Sequence, residues 1–204
     1  MFGKAASDLL GLSDIGSVVS KRDYDKVDVD DYILHEDGEK IYFVIKSKTD
    51  EYCFTNKALI HLDGNSALSK KRTLYRYNYA THRISHPRIE TAGTIDLDLE
   101  LKFAIGSAEF SIDVHKKFIE EIKDIYKALI KIEEIIYDNE ASLHNSRKSA
   151  DLAISGLGHI MNNDKNIVEN FKSLNETAFD WLMTTKKQYV VKDFGFVFEK
   201  YINN

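Results

Sequence analysis

The chain has 204 residues, with 33 Asp or Glu against 28 Lys or Arg and a net charge of −5 at neutral pH. A molecule with this balance repels nucleic acid and anionic lipid as a whole, so any anion site has to be local. Cys53 is the only cysteine, which excludes an internal disulfide and fits a reducing compartment.

The opening MFGKAASDLLGLSDIGSVV places aspartates and small residues where a secretory leader would be uninterruptedly apolar. No apolar run approaches the roughly 20 residues of a membrane span. A soluble cytoplasmic protein is expected, with residues 1–27 forming an N-terminal segment that carries a short helix. The acidic stretch DYDKVDVDDYILHED, Asp23 to Asp37, sets Asp25 and Glu36 at the first and last positions of a calcium loop. Val27 and Val29 stand where ligands belong and Asp30 where the turn needs glycine, so a solvated loop or helix cap is expected.

From about residue 41 to 114 the hydrophobic period is two. IYFVIKS from Ile41, DEYCFTN from Asp50, KALIHLDG from Lys57, the stretch from Ser69 to Tyr79, and Ile84 to Thr91 are short, β-branched or aromatic, and separated by turn residues. In TIDLDLELKFAI, Ile95, Leu97, Leu99, Leu101, Phe103 and Ile105 alternate with charged residues; after Gly106-Ser107, Phe110, Ile112 and Val114 continue the alternation. Gly-Ser between two such runs predicts a type II′ hairpin. Seven strands at this spacing suggest a small barrel or sandwich. Pro87, the only proline, suits an edge or a bulge.

After Asp113, an N-cap by residue type, the period changes. Phe118, Ile122, Ile125, Leu129, Ile132 and Ile136 follow the spacing of a helix face, widened by Ile119, Tyr126 and Ile130. Beyond residue 138, a weaker stripe through Leu143, Ala150, Ala153, Leu157 and Ile160 stops near Asn162-Asn163. Ser173 and Glu176 match a capping box ahead of Phe179, Leu182, Met183, Phe194 and Phe198. The tail reads as two or three amphipathic helices with little core of their own.

The segments FTN (54–56), ALIHLDG (58–64), SKK (69–71), ETAG (90–93) and DLDLELK (96–102) resemble, in order and spacing, the bacterial pleckstrin-homology-like domains. The likeness covers roughly residues 28 to 135, and the tail resembles the helical oligomerisation extension of some members. It implies an α+β fold: a seven-stranded antiparallel pleckstrin-homology-like β-barrel capped by a long α-helix, followed by a helical hairpin extension. It also implies self-association, since similar proteins form closed homo-oligomeric rings. The domains expected are 28–137 for the barrel and helix and 138–204 for the extension. Where the family often has Tyr-Pro-Tyr in the fourth strand, this chain has Tyr77-Asn78-Tyr79, which restores a backbone donor.

In SKKRTLYRYNY, Ser69 to Tyr79, strand alternation puts Lys70, Arg72, Leu74, Arg76 and Asn78 on one face and Lys71, Thr73, Tyr75, Tyr77 and Tyr79 on the other. Cations and rings diverge, which argues against the converging platform that single-stranded nucleic acid needs. Lys70, Lys71, Arg72 and Arg76 are the candidate contacts for an anionic lipid headgroup or phosphate. Tyr75, Tyr77 and Tyr79 turn inward or meet a neighbouring subunit. Asp96, Asp98 and Glu100 form an acidic row, solvated or set against a basic row in a head-to-tail contact. Phe179, Leu182, Phe194 and Phe198 are the candidate interface residues of the tail.

No catalytic constellation emerges. His82 and His86 are four apart, but Pro87 denies them a common helical face. Asp193-Phe194-Gly195 lacks the loops that would make it a kinase metal-binding tripeptide. Gly156-Leu157-Gly158 follows no strand and lacks the third glycine of a dinucleotide site. Cys53, inside a strand, reads as a small buried hydrophobe. No metal or cofactor is expected; the expected partner is the chain itself, with another protein or anionic lipid second.

Overall fold

The computed structural model describes residues 14–64, 72–91, 98–160 and 166–202. The period-two runs form β2 (Ile41–Lys46), β3 (Glu51–Thr55), β4 (Ala58–Gly64), β5 (Arg72–Asn78), β6 (Ile84–Thr91), β7 (Asp98–Ile105) and β8 (Ala108–His115), and β1 (Ser17–Val18) precedes them. They make two antiparallel sheets, β1-β2-β3-β4-β5 and β6-β7-β8. Among the described residues, eight strands in two sheets therefore stand where seven in one closed barrel were expected. The extra strand is two residues long, too short to show a period. Gly16, just before it, donates to Asp113 O at 2.8 Å and accepts from His115 N at 2.9 Å, tying the two sheets at one corner.

The Gly106-Ser107 turn joins β7 to β8 with Ile105 opposite Ala108. Gly106 has φ 61° and Ser107 is not among the residues of positive φ, the pattern a type II′ turn requires. Pro87 lies in β6, at the edge of its sheet, where the register shifts between Ser85 and Arg88 and His86 has φ 56°. A residue without an N–H is tolerated there because the bulge removes it from the ladder.

Between β1 and β2 the chain makes three 3₁₀ turns, Lys21–Lys26, Asp28–Tyr32 and His35–Asp37. Tyr24, Val27, Val29 and Ile33 from these turns form a cluster with Val44, Cys53, Ala58 and Ile60 of the sheet. The opposite face of the sheet carries Phe54, Tyr52 and Tyr77, which meet Phe103 and Phe110 of the three-stranded sheet, and Phe43, edge-on to Phe54. Alternation places one apolar row on each face, and both are covered.

After β8 a 3₁₀ turn, Lys116–Phe118, leads into α1 (Ile119–Ile160); α2 (Ile167–Tyr189) and α3 (Gly195–Tyr201) follow. Asp113 is not the cap, because the strand runs on to His115, whose Nδ1 accepts from Lys117 N at 3.2 Å. Nor does a capping box form at Ser173: α2 runs through it, and its carbonyl accepts from the Thr177 hydroxyl. Ile122, Ile125, Ala128, Leu129 and Ile132 of α1 are fully buried.

The chain divides into two compact units. The first takes in the described residues up to Glu133 and those from Lys192 onward; the second is Glu134–Val191. Residues 192–202, which the sequence pattern joins to the helical extension, cluster with the sheets.

Candidate functional site

The basic face of β5 meets carboxylates of its own chain. Arg76 donates to both oxygens of Glu39, at 2.9 and 3.1 Å, and Glu39 also accepts from Thr55 Oγ1 at 2.6 Å and Leu34 N at 3.0 Å. Glu39 is 1% exposed. Burial pushes its pKa up, but the hydrogen bonds from Arg76, Thr55 and the Leu34 backbone prevail and hold it below the ordinary carboxylate value. Arg72 pairs with Asp28 at 2.7 Å. A second buried carboxylate, Glu51, accepts from Val29 N at 2.8 Å and pairs with Lys46. Of the candidate anion contacts, Arg72 and Arg76 thus pair with carboxylates of the segment between β1 and β2, and Lys70 and Lys71 lie outside the described residues. The acidic run from Asp23 to Glu39 was the available signal, since it supplies the complementary charges.

On the other face, Tyr75 and Tyr77 join an aromatic row. His61 stacks on Tyr52 with centroids 4.3 Å apart and on Tyr75 at 6.0 Å, and Tyr77 meets Phe110 edge-on at 5.5 Å. His61 Nε2 lies 3.0 Å from Asp50 Oδ1. Burial raises the Asp50 pKa, yet the His61 and Thr49 contacts bring it below its ordinary value. Tyr75 is 42% exposed and open to a partner, whereas Tyr79 is buried at 2%.

The acidic row is partly neutralised. Lys102 bridges Glu90 at 2.6 Å and Glu100 at 2.5 Å. Glu100 sits opposite Asp113 across the ladder, and burial with the charges of Glu100 and Asp98 raises the Asp113 pKa. Asp98 is half-buried; Asp96 lies outside the described residues. Among the described residues no group of three or more His, Cys, Asp or Glu could hold a metal ion.

In the second unit, no described apolar side chain is buried. The groove between α1 and α2, about 260 Å³, is lined by Ala150, Ala153, Ile154, Leu174, Ala178 and Trp181. Trp181 Nε1 donates to Ser146 O at 3.5 Å. Beside this groove Val168, Phe171, Phe179 and Leu182 stand 80%, 69%, 61% and 38% exposed. At the helical repeat they fall within an arc of about 80°. They form one apolar stripe facing solvent.

Phe194 and Phe198 are different. Both are fully buried in the first unit: Phe194 packs edge-on to Tyr79, and Phe198 stacks on Tyr42 with centroids 5.3 Å apart. Phe194 N donates to Asn56 O at 2.7 Å, and Asn56 Nδ2 to Asp193 Oδ2 at 2.6 Å. Tyr42 donates to Glu199 at 2.7 Å, and burial together with that carboxylate pushes its pKa up to about 12. A Cβ on Gly195 would sit 2.8 Å from the Tyr42 hydroxyl, so any larger residue would have to push that ring aside. An amphipathic stripe shows that these rings need cover, not which surface supplies it.

Two antiparallel sheets, the hairpin turn and a long helix after the last strand define a pleckstrin-homology-like fold. The chain belongs to the bacterial PH domain family, whose pattern it matches over residues 9–133; residues 144–204 match the YvbH-like oligomerisation region. It is 54% identical to the uncharacterized protein YvbH of Bacillus subtilis (strain 168), over the whole of both chains. It is 38% identical to YjqA of the same organism over 102 residues, 50% of this chain and 79% of that one. The crystal structure of a PH domain containing bacterial protein from Exiguobacterium sibiricum 255-15 has a TM-score of 0.85 and 52% identity, covering 93% of this chain and 100% of that one. Neither family description names a reaction. Among the described residues no helix is long and apolar enough to cross a membrane.

Proposed function

We propose that this protein is a non-enzymatic cytoplasmic scaffold that self-assembles into a homo-oligomer, a closed ring, through its helical hairpin and the edges of its sheets. The observation that carries this reading is the hairpin without a core: Val168, Phe171, Phe179 and Leu182 stay exposed in a region that matches an oligomerisation family. An apolar stripe of this kind is stable when a second surface covers it. β5 and β6 are edge strands, and side-by-side pairing of such edges would propagate a ring. A seven-stranded barrel geometry, with β1 as an addition, fits this role as the rigid body that the hairpins join.

The alternative reading, a module binding anionic lipid through the basic strand, loses support from the pairing of Arg72 with Asp28 and Arg76 with Glu39. Light scattering on a size-exclusion column tests the scaffold. The full chain is expected to elute as a multiple of its own mass, and Phe171→Glu combined with Phe179→Glu to lower that mass. A monomeric wild type would overturn the reading. Truncation after Asp138 is not a clean test, because it also removes Phe194 and Phe198 from the core of the first unit.

A further inference from the structure

Residues 192–202 sit within a region that matches an oligomerisation family, yet their apolar side chains are buried in the first unit. Phe194, Val197 and Phe198 are at most 1% exposed. The docking is self-contained: its partners are Tyr42, Asn56 and Tyr79, all on or beside the strands and none in the hairpin. Residues 190–194, between α2 and α3, are not helical, so the segment is joined to the hairpin by a stretch free of helical hydrogen bonding that could act as a hinge.

These features meet the requirements of an exchanged element. The same contacts re-form whichever copy supplies the segment, and only the hinge has to change conformation. Assembly through the hairpins would raise the local concentration of neighbouring segments to the range where an intermolecular contact competes with the intramolecular one.

We propose that residues 192–202 are exchanged between copies, each sheet unit receiving the Phe194, Val197 and Phe198 plug of a neighbour. The partner is a second copy of this chain, and the inference rests on the self-assembly reading above. It gives residues 192–202 an oligomerising role that their burial would otherwise deny them.

The test is a disulfide between Asn56→Cys and Asp193→Cys, whose native side chains touch and whose backbones are joined at Phe194 N to Asn56 O, in a Cys53→Ala background. After oxidation, non-reducing denaturing electrophoresis is expected to show covalent species of two or more chains that collapse to one on reduction. A bond found wholly within single chains overturns the exchange. Should that variant fail to fold by circular dichroism, Lys40→Cys with Glu199→Cys replaces it. Both of these positions are exposed at the rim of one cavity, and a short bismaleimide can join them. Single-chain products from this pair likewise overturn the exchange. Light scattering on the same sample separates the two failures: a monomer sinks self-assembly itself, whereas an oligomer with only intrachain bonds sinks the exchange alone.

Discussion

In the sheet unit, Phe43, Phe54, Leu129, Ile132 and Phe198 are fully buried and the buried carboxylates Glu39 and Glu51 each have a cationic partner. Between Glu134 and Val191 no described apolar side chain is buried, and Val168, Phe171 and Phe179 are more than half exposed. One part of the chain satisfies its own surface; the other presents a surface that solvent does not suit. The difference separates what holds the fold from what is free to recruit.

The contrast breaks most sharply at the C-terminal plug. Phe198→Ala removes a ring wedged between Tyr42 and Tyr79 and is expected to cost about 4 kcal/mol. Denaturant unfolding checks it; a loss below about 1 kcal/mol would mean the plug is not part of the core.

Arg76→Met comes next, at about 3 kcal/mol, since it leaves Glu39 buried without its partner. The pH dependence carries the same signature. The folded pKa of Glu39 is lowered, so its contribution is complete above the unfolded value of roughly 4.3 and is lost as pH falls through the lowered folded value. Unfolding followed across that acid window should show a loss of stability in the wild type that shrinks in Arg76→Met.

Asp113→Asn is expected to stabilise by about 0.5 kcal/mol, because like charges face each other across the ladder at Glu100. The folded pKa of Asp113 is raised, so the penalty is present at neutral pH and is relieved as pH falls through that raised value. The gain should therefore vanish in acid.

The smallest effect on stability sharpens the comparison. Phe179→Glu should change unfolding of the sheet unit by no more than about 0.5 kcal/mol while lowering the assembled mass in light scattering. A large stability loss without a change in mass would place Phe179 in a core, not on a recruiting face.

Strands β2 to β8 were legible because alternation over five to eight residues leaves a clear period, and Gly106-Ser107 and Pro87 announced the turn and the bulge. β1 was not, since two residues carry no period. α1 runs on to Ile160 although its buried stripe ends at Ile132, because no proline interrupts it and helix can continue without a core beneath it. The faces of β5 followed from alternation, but not the partners of its arginines. Asp28 and Glu39 reach Arg72 and Arg76 only after the 3₁₀ segment has folded over the sheet. Phe179 and Phe198 look alike in a helical pattern. One ends in solvent and the other in a core because the residues from Lys192 onward belong to the first unit, a long-range event that local periodicity does not encode.

Glu39 collects donors from Leu34, Thr55 and Arg76, three stretches brought together only when β5 lies correctly along β4. A slip of β5 by one residue would carry Arg76 to the aromatic face and strand an ionised carboxylate in the interior. Wrong alignments of this strand are therefore penalised more heavily than the right one is rewarded. A single side chain proofreads the register of the sheet as it forms.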